Sequence, residues 1–310
     1  MGGRTMSDNP NPYQPPDRQP PTNANSASDF GEVIRRGFAA AHARPAGGIW
    51  MFILLAPIQI QNTIMASIVF NSGLLEQLQR GNIDTSNGPP PALLMLMGVG
   101  CFSCIWLLAL LGAIPWIWGG SAGQLRAQLI GANVGRFGDY GRQNYGGMLA
   151  FLLMFVVVAV VLSIPNAIVN QVVSAGAVRP GQPWDAETAR SLARHPANIV
   201  SSVGTVLLFA GAGTLLNVLI SVSVAVGRGF RAGLGAGFAF CSDNLKSIFK
   251  LYLMYVLLML PVVILAWIPQ LVTPSIWIGI VFGVLSAAYL GYLSLANLGL
   301  ANALVVAKPE

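Results

Sequence analysis

The chain has 310 residues, 54% of them hydrophobic and only 9% charged, and its mean hydropathy is +0.63. Soluble domains carry about 25% charged residues, so this balance excludes an ordinary soluble fold and points to the membrane. The net charge of +6 comes with no basic stripe interleaved with aromatics outside the apolar runs, which argues against nucleic acid and for anionic lipid as the attracted partner.

Residues 1–28, with Asn9-Pro10-Asn11-Pro12-Tyr13-Gln14-Pro15-Pro16, cannot bury a core and read as a disordered tail. Pro12 and Pro15 fit a PxxP spacing, a motif too common to define a docking peptide. The segment lacks the apolar centre of a cleavable signal, and Met6 is an alternative start. A transmembrane domain is expected over 29–306, followed by a short C-terminal tail, 307–310.

Order begins near Asp29, which with Glu32 forms a variant of the capping box. Phe30, Ile34 and Phe38 then recur every four residues, with Arg35 and Arg36 off that stripe, as in a helix lying on a membrane surface. Six apolar runs with no charged side chain in their interior follow, about 47–70, 92–119, 146–173, 199–224, 250–272 and 275–306. Each reaches the ~20 residues needed to cross a hydrocarbon core about 30 Å thick. With no water to satisfy the backbone, each should be a helix.

The charges fall in the connections. The tail, the 120–146 and 225–250 segments and the C-terminus hold 13 Lys and Arg; loops 71–91 and 174–198 hold four, Arg80, Arg179, Arg190 and Arg194. That split predicts cytoplasmic N- and C-termini.

A shift of 104 residues superposes Gly123 on Gly227, Gly131 on Gly235, Asp139 on Asp243, Arg142 on Lys246, Tyr145 on Phe249 and Ile164-Pro165 on Ile268-Pro269. Gly37-Phe38-Ala39 returns as Gly237-Phe238-Ala239, in the stripe Phe230, Leu234, Phe238 flanked by Arg228 and Arg231. The reading is an all-α integral membrane protein of three units, 29–119, 120–224 and 225–306, each a cytoplasmic surface helix plus a two-span hairpin. Arg35, Arg36, Arg228 and Arg231 are the candidate lipid-surface residues. Asp139 and Asp243, at the elbows before the third and fifth spans, are expected to cap those helices or pair with Arg142 and Lys246.

Amides inside the spans are the candidate polar path: Gln59 and Asn62 in the first, Asn166 and Asn170 in the third, Asn217 in the fourth and Gln270 in the fifth. Pro165 and Pro269 lie beside two of these groups; prolines free backbone carbonyls, which transporters use for sites. Amides also hold helices together, and packing is the plainer use. Gln61, Gln171, Asn297 and Asn302 belong to the same class. Gly279, Gly283, Ala287 and Gly291 form a small-residue stripe on the sixth span, suited to close packing in the bundle or to a homo-oligomer face. Cys101 and Cys104 are three apart in the second span; without a partner pair in an outer loop they read as small packing residues, and the three cysteines imply no disulfide framework. No HExxH, GxSxG or Walker A motif occurs, no carboxylate lies within a span, and His42 and His195 are expected on opposite sides. No enzyme, metal or cofactor is expected.

The Gly237-Phe238…Asp243…Phe249-Lys250-Leu251 passage resembles a loose group of uncharacterised bacterial six-span proteins, similar to the membrane domain fused to some glycerophosphodiester phosphodiesterases. The resemblance covers about 29–306 and implies a multi-pass protein of the bacterial plasma (inner) membrane; it supplies no catalytic residue. The expected function is a non-catalytic membrane protein organising lipid or partner proteins. The alternative is a permease or channel for a small neutral solute.

Overall fold

The computed structural model describes residues 30–71, 91–177, 195–227, 229–271 and 276–308. The N-terminal tail, loops 71–91 and 174–198 in most of their length, Arg228 and Glu310 lie outside these. The described chain is all helical: α1 Phe30–Ala43, α2 Ala46–Asn71, α3 Pro91–Leu129, α4 Phe137–Ala177, α5 Pro196–Val226, α6 Gly229–Asp243, α7 Leu245–Leu271 and α8 Ile276–Ala307. Six of them (α2, α3, α4, α5, α7 and α8) are long and apolar enough to cross a membrane. α1 and α6 are too short to span.

Spans consecutive in the chain run antiparallel, and so do α2 and α8. A Cβ built at Gly291 of α8 would meet the Gly48 carbonyl of α2, and one at Gly279 would meet Thr63, so α2 numbering rises as α8 numbering falls. Gly119 and Gly120 of α3 approach Asn144 and Phe137 of α4. Lys308 at the end of α8 bonds Ser247 at the start of α7. This alternation brings the start of α2, the end of α3, the start of α4, the end of α5, the start of α7 and the end of α8 to one side. α1 and α6 pack there too: Gly37 of α1 against Leu300 of α8, and Gly233 and Gly237 of α6 against Ser223 and Leu219 of α5. This side is the charged end and the other the far end.

The core is concentrated at the charged end. Ile117, Ala122 and Leu125 of α3, Met148 and Phe151 of α4, Val218 and Ile220 of α5, Leu251 of α7 and Leu293, Leu300 and Leu304 of α8 are all essentially inaccessible. The second half of α8 is the central element; from Leu293 onward nearly every residue is buried. Towards the far end the helices present apolar side chains outward, as lipid requires. Among the described residues of α4, none past Leu152 is buried, and Val157, Val160 and Ile168 are exposed.

The middle unit departs from the pattern expected of three equal units. The segment from 120 to 129 is no separate surface helix. α3 continues through it for 39 residues, roughly 58 Å at 1.5 Å per residue. The helix stops only at Gly131, whose φ of +70° is a left-handed geometry that suits glycine. Its counterpart by the 104-residue shift, Gly235, lies inside α6. Conversely Gly227, with φ of +63°, caps α5 through its N–H to the Ser223 carbonyl, while its counterpart Gly123 stays helical. There a Cβ would lie 2.6 Å from the Tyr140 ring, so glycine serves close approach and not a turn. The polar elbow 139–145 correspondingly falls within the first turns of α4.

Candidate functional site at the charged end

Every Lys, Arg, Asp and Glu among the described residues lies at the charged end. Arg35, Arg36 and Arg44 belong to α1 and the bend after it, Arg126 to the end of α3, and Arg136 and Arg142 flank the start of α4. Arg231 is on α6, Lys246 and Lys250 are in the first turns of α7, and Lys308 follows α8. Only Glu32, Asp139 and Asp243 oppose them. The far end of the described helices carries His195 alone as a titratable polar residue, the N-cap of α5, whose ring accepts from the Ala197 N–H.

The candidate lipid-surface arginines differ in role. Arg35 is exposed and ion-paired to Glu32 on the same helix at 2.7 Å. The hydrogen bond from Arg35 holds the Glu32 carboxyl below its usual range. Arg36 instead reaches across to donate to the Leu129 carbonyl at 2.9 Å, satisfying one of the open carbonyls at the end of α3. Arg44 donates to Gln128 on the same helix end at 3.3 Å. α1 is thus tied to the end of α3 as well as packed on α8. Its most buried face is Val33, Gly37, Ala40 and Ala41, with Ile34 and Phe38 packed partly buried beside it. Arg231 is exposed, and Arg228 lies outside the described residues.

At the elbows, Asp139 sits in the first turn of α4, where a carboxylate favours the positive end of the helix. Asp243 ends α6 and accepts a hydrogen bond from Ser242 at 3.3 Å. The turn residue before α7 is Asn244, whose carbonyl takes the N–H groups of Ser247 and Ile248. Among the described residues neither aspartate forms an ion pair with Arg142 or Lys246.

The intramembrane amides are spread over the bundle, and no hydrogen bond among the described residues joins two of them. The Gln59 backbone and Cβ pack against Gly283. Gln61 donates to Ser103 and to the Val99 carbonyl of α3. Asn166 accepts from Ser201 across the α4–α5 contact at 2.9 Å. Asn217 donates to the Gly213 carbonyl of its own helix at 2.9 Å. Asn62 and Asn170 are exposed, and the side chain of Gln270 is outside the described set. The most enclosed amides are Asn297 and Asn302 of α8, both fully buried. Asn302 donates to the Leu298 carbonyl at 3.0 Å; the Asn297 side chain makes no hydrogen bond among the described residues.

The small stripe of α8 is covered from within. Gly279 faces Thr63, Gly283 faces Gln59 and Gly291 faces Gly48, all on α2, and Ala287 is inaccessible. Cys101 and Cys104 are exposed on α3. No group of His, Cys, Asp and Glu able to hold a metal occurs among the described residues.

Comparison with protein-family models, with curated proteins and with solved structures finds no match.

Proposed function

We propose that this is a non-catalytic integral membrane protein that organises anionic lipid around its charged end, with that end and both termini on the cytoplasmic side of a bacterial plasma membrane. The observation that carries the reading is the one-sided charge: ten Lys and Arg against three carboxylates at a single end of the described bundle. Cations beside an anionic leaflet each contribute about 1 kcal/mol of attraction, and the same excess fits the positive-inside rule. α1 and α6 supply part of this shell.

A permease for a small neutral solute is the competing reading. It would draw on Asn62 and Asn170, which are exposed, whereas Gln61, Asn166 and Asn217 already bond to neighbouring helices or to their own backbone. The test is the lipid that stays with detergent-purified protein. The anionic fraction should exceed that of the source membrane and fall when Arg35 and Arg231 are both changed to Glu. An unchanged lipid composition would overturn the reading.

A further inference from the structure

We propose that Lys246, Lys250 and Lys308 together hold the phosphate of one anionic lipid headgroup at the charged end. The inference rests on the lipid-organising reading above and narrows it to one site. The sequence contains three lysines, and the fold gathers all of them at the junction where α7 begins and α8 ends. The Lys308 ammonium donates to the Ser247 hydroxyl at 3.1 Å. Ser247 is the neighbour of Lys246 and lies three residues before Lys250. The Lys250 ammonium stands 5.4 Å from the centre of the Phe30 ring of α1, a contact between a cation and a ring face.

The electrostatics at this junction are unbalanced. Lys246 and Lys250 sit in the first turns of α7, at the positive end of the helix dipole, where a cation is disfavoured. α4 has Asp139 in its first turn, but α7 has no acidic residue there. Glu32 is engaged by Arg35 and Asp243 accepts from Ser242, and among the described residues none of the three lysines is ion-paired. A phosphate brought to the start of α7 answers both the lysines and the helix end.

The surroundings select a lipid over a soluble phosphorylated partner. Leu245 and Phe249, interleaved with the lysines, are 70% and 56% exposed. Large apolar side chains facing outward beside cations suit the boundary between acyl chains and headgroups. The ammonium groups then meet phosphates at that level. Lysine also suits a headgroup phosphate, since it binds as a mobile point charge and needs no bidentate alignment.

The experiment is native mass spectrometry of the full chain released from micelles containing equal phosphatidylglycerol and phosphatidylethanolamine. The last phosphatidylglycerol adduct to survive rising collision energy is followed. In the variant K246Q/K250Q/K308Q its apparent affinity should drop by about fivefold per lysine removed, the scale of surface electrostatics, and the triple Lys→Arg variant should restore most of it. R35Q/R231Q should thin the weakly held adducts and leave the last one. If the last adduct persists unchanged in the lysine variant while R35Q/R231Q loses lipid, the site is refuted and the general reading stands. If neither variant changes any adduct, both are refuted. A matching thermal melt of the triple Gln variant excludes misfolding as the cause of loss.

Discussion

Gly48 and Gly291 bring α2 and α8 to backbone contact: a Cβ added to Gly291 would lie 2.6 Å from the Gly48 carbonyl oxygen and 3.0 Å from the Phe52 nitrogen. Both obstructing groups are backbone, so the site cannot yield by turning a side chain. Gly291→Leu should therefore lower stability by more than the ~1–3 kcal/mol typical of an overpacked core. Gly112→Ala on α3, where nothing lies within 4 Å, should leave it nearly unchanged. Thermal unfolding of the two variants in one detergent checks the contrast.

Asn166 and Ser201 test whether the amides hold helices or pass solute. Intramembrane hydrogen bonds between helices average about 0.6 kcal/mol. Asn166→Leu should cost roughly that much and leave liposome permeability to a panel of small neutral solutes unaltered. If wild-type protein supports flux and the variant does not, the permease reading takes over.

Asn297 gives the opposite sign. Its amide is fully buried and makes no side-chain hydrogen bond among the described residues, a state that costs about 1–3 kcal/mol. Asn297→Val should raise the melting temperature. A drop in melting temperature would show that the amide has a partner worth keeping.

Orientation is tested by labelling. With Cys101, Cys104 and Cys241 changed to Ser, a single Lys308→Cys should resist a membrane-impermeant maleimide in intact bacterial cells and react after permeabilisation. Labelling of intact cells would reverse the topology and remove the anionic leaflet from the charged end.

The spans were legible because each is an uninterrupted apolar run, and charge exclusion alone delimits such a run. Among the described residues six helices have that property. The faces were less legible. On α1 the eye follows Phe30, Ile34 and Phe38, since large apolar residues dominate any periodicity. The helix buries Val33, Gly37, Ala40 and Ala41 most deeply, because close approach to α8 favours small side chains. The glycines of 120–131 looked like those of 227–235, yet the helix break falls at different members of the two sets. Only the three-dimensional neighbour, Tyr140 in one case, decides whether a glycine turns the chain or admits a contact. The lysine junction lay within reach of the alternating topology, which puts 246–250 and 308 on one side; the Ser247 contact that joins them required the fold.

The concentration of the core at one end makes the long helices levers with a common clamp. α3 and α4 extend for 39 and 41 residues, about twice the length that crosses the hydrocarbon. They are enclosed around Ile117, Leu125, Met148 and Phe151; beyond, α3 is held to α2 through Gln61 and Trp106, and α4 to α5 through Asn166 and Ser201. For a rigid helix of this length, a small change of tilt at the enclosed end is magnified at the other. Lipid bound at the charged end and bilayer thickness sensed at the far end would thereby act on the same rigid bodies.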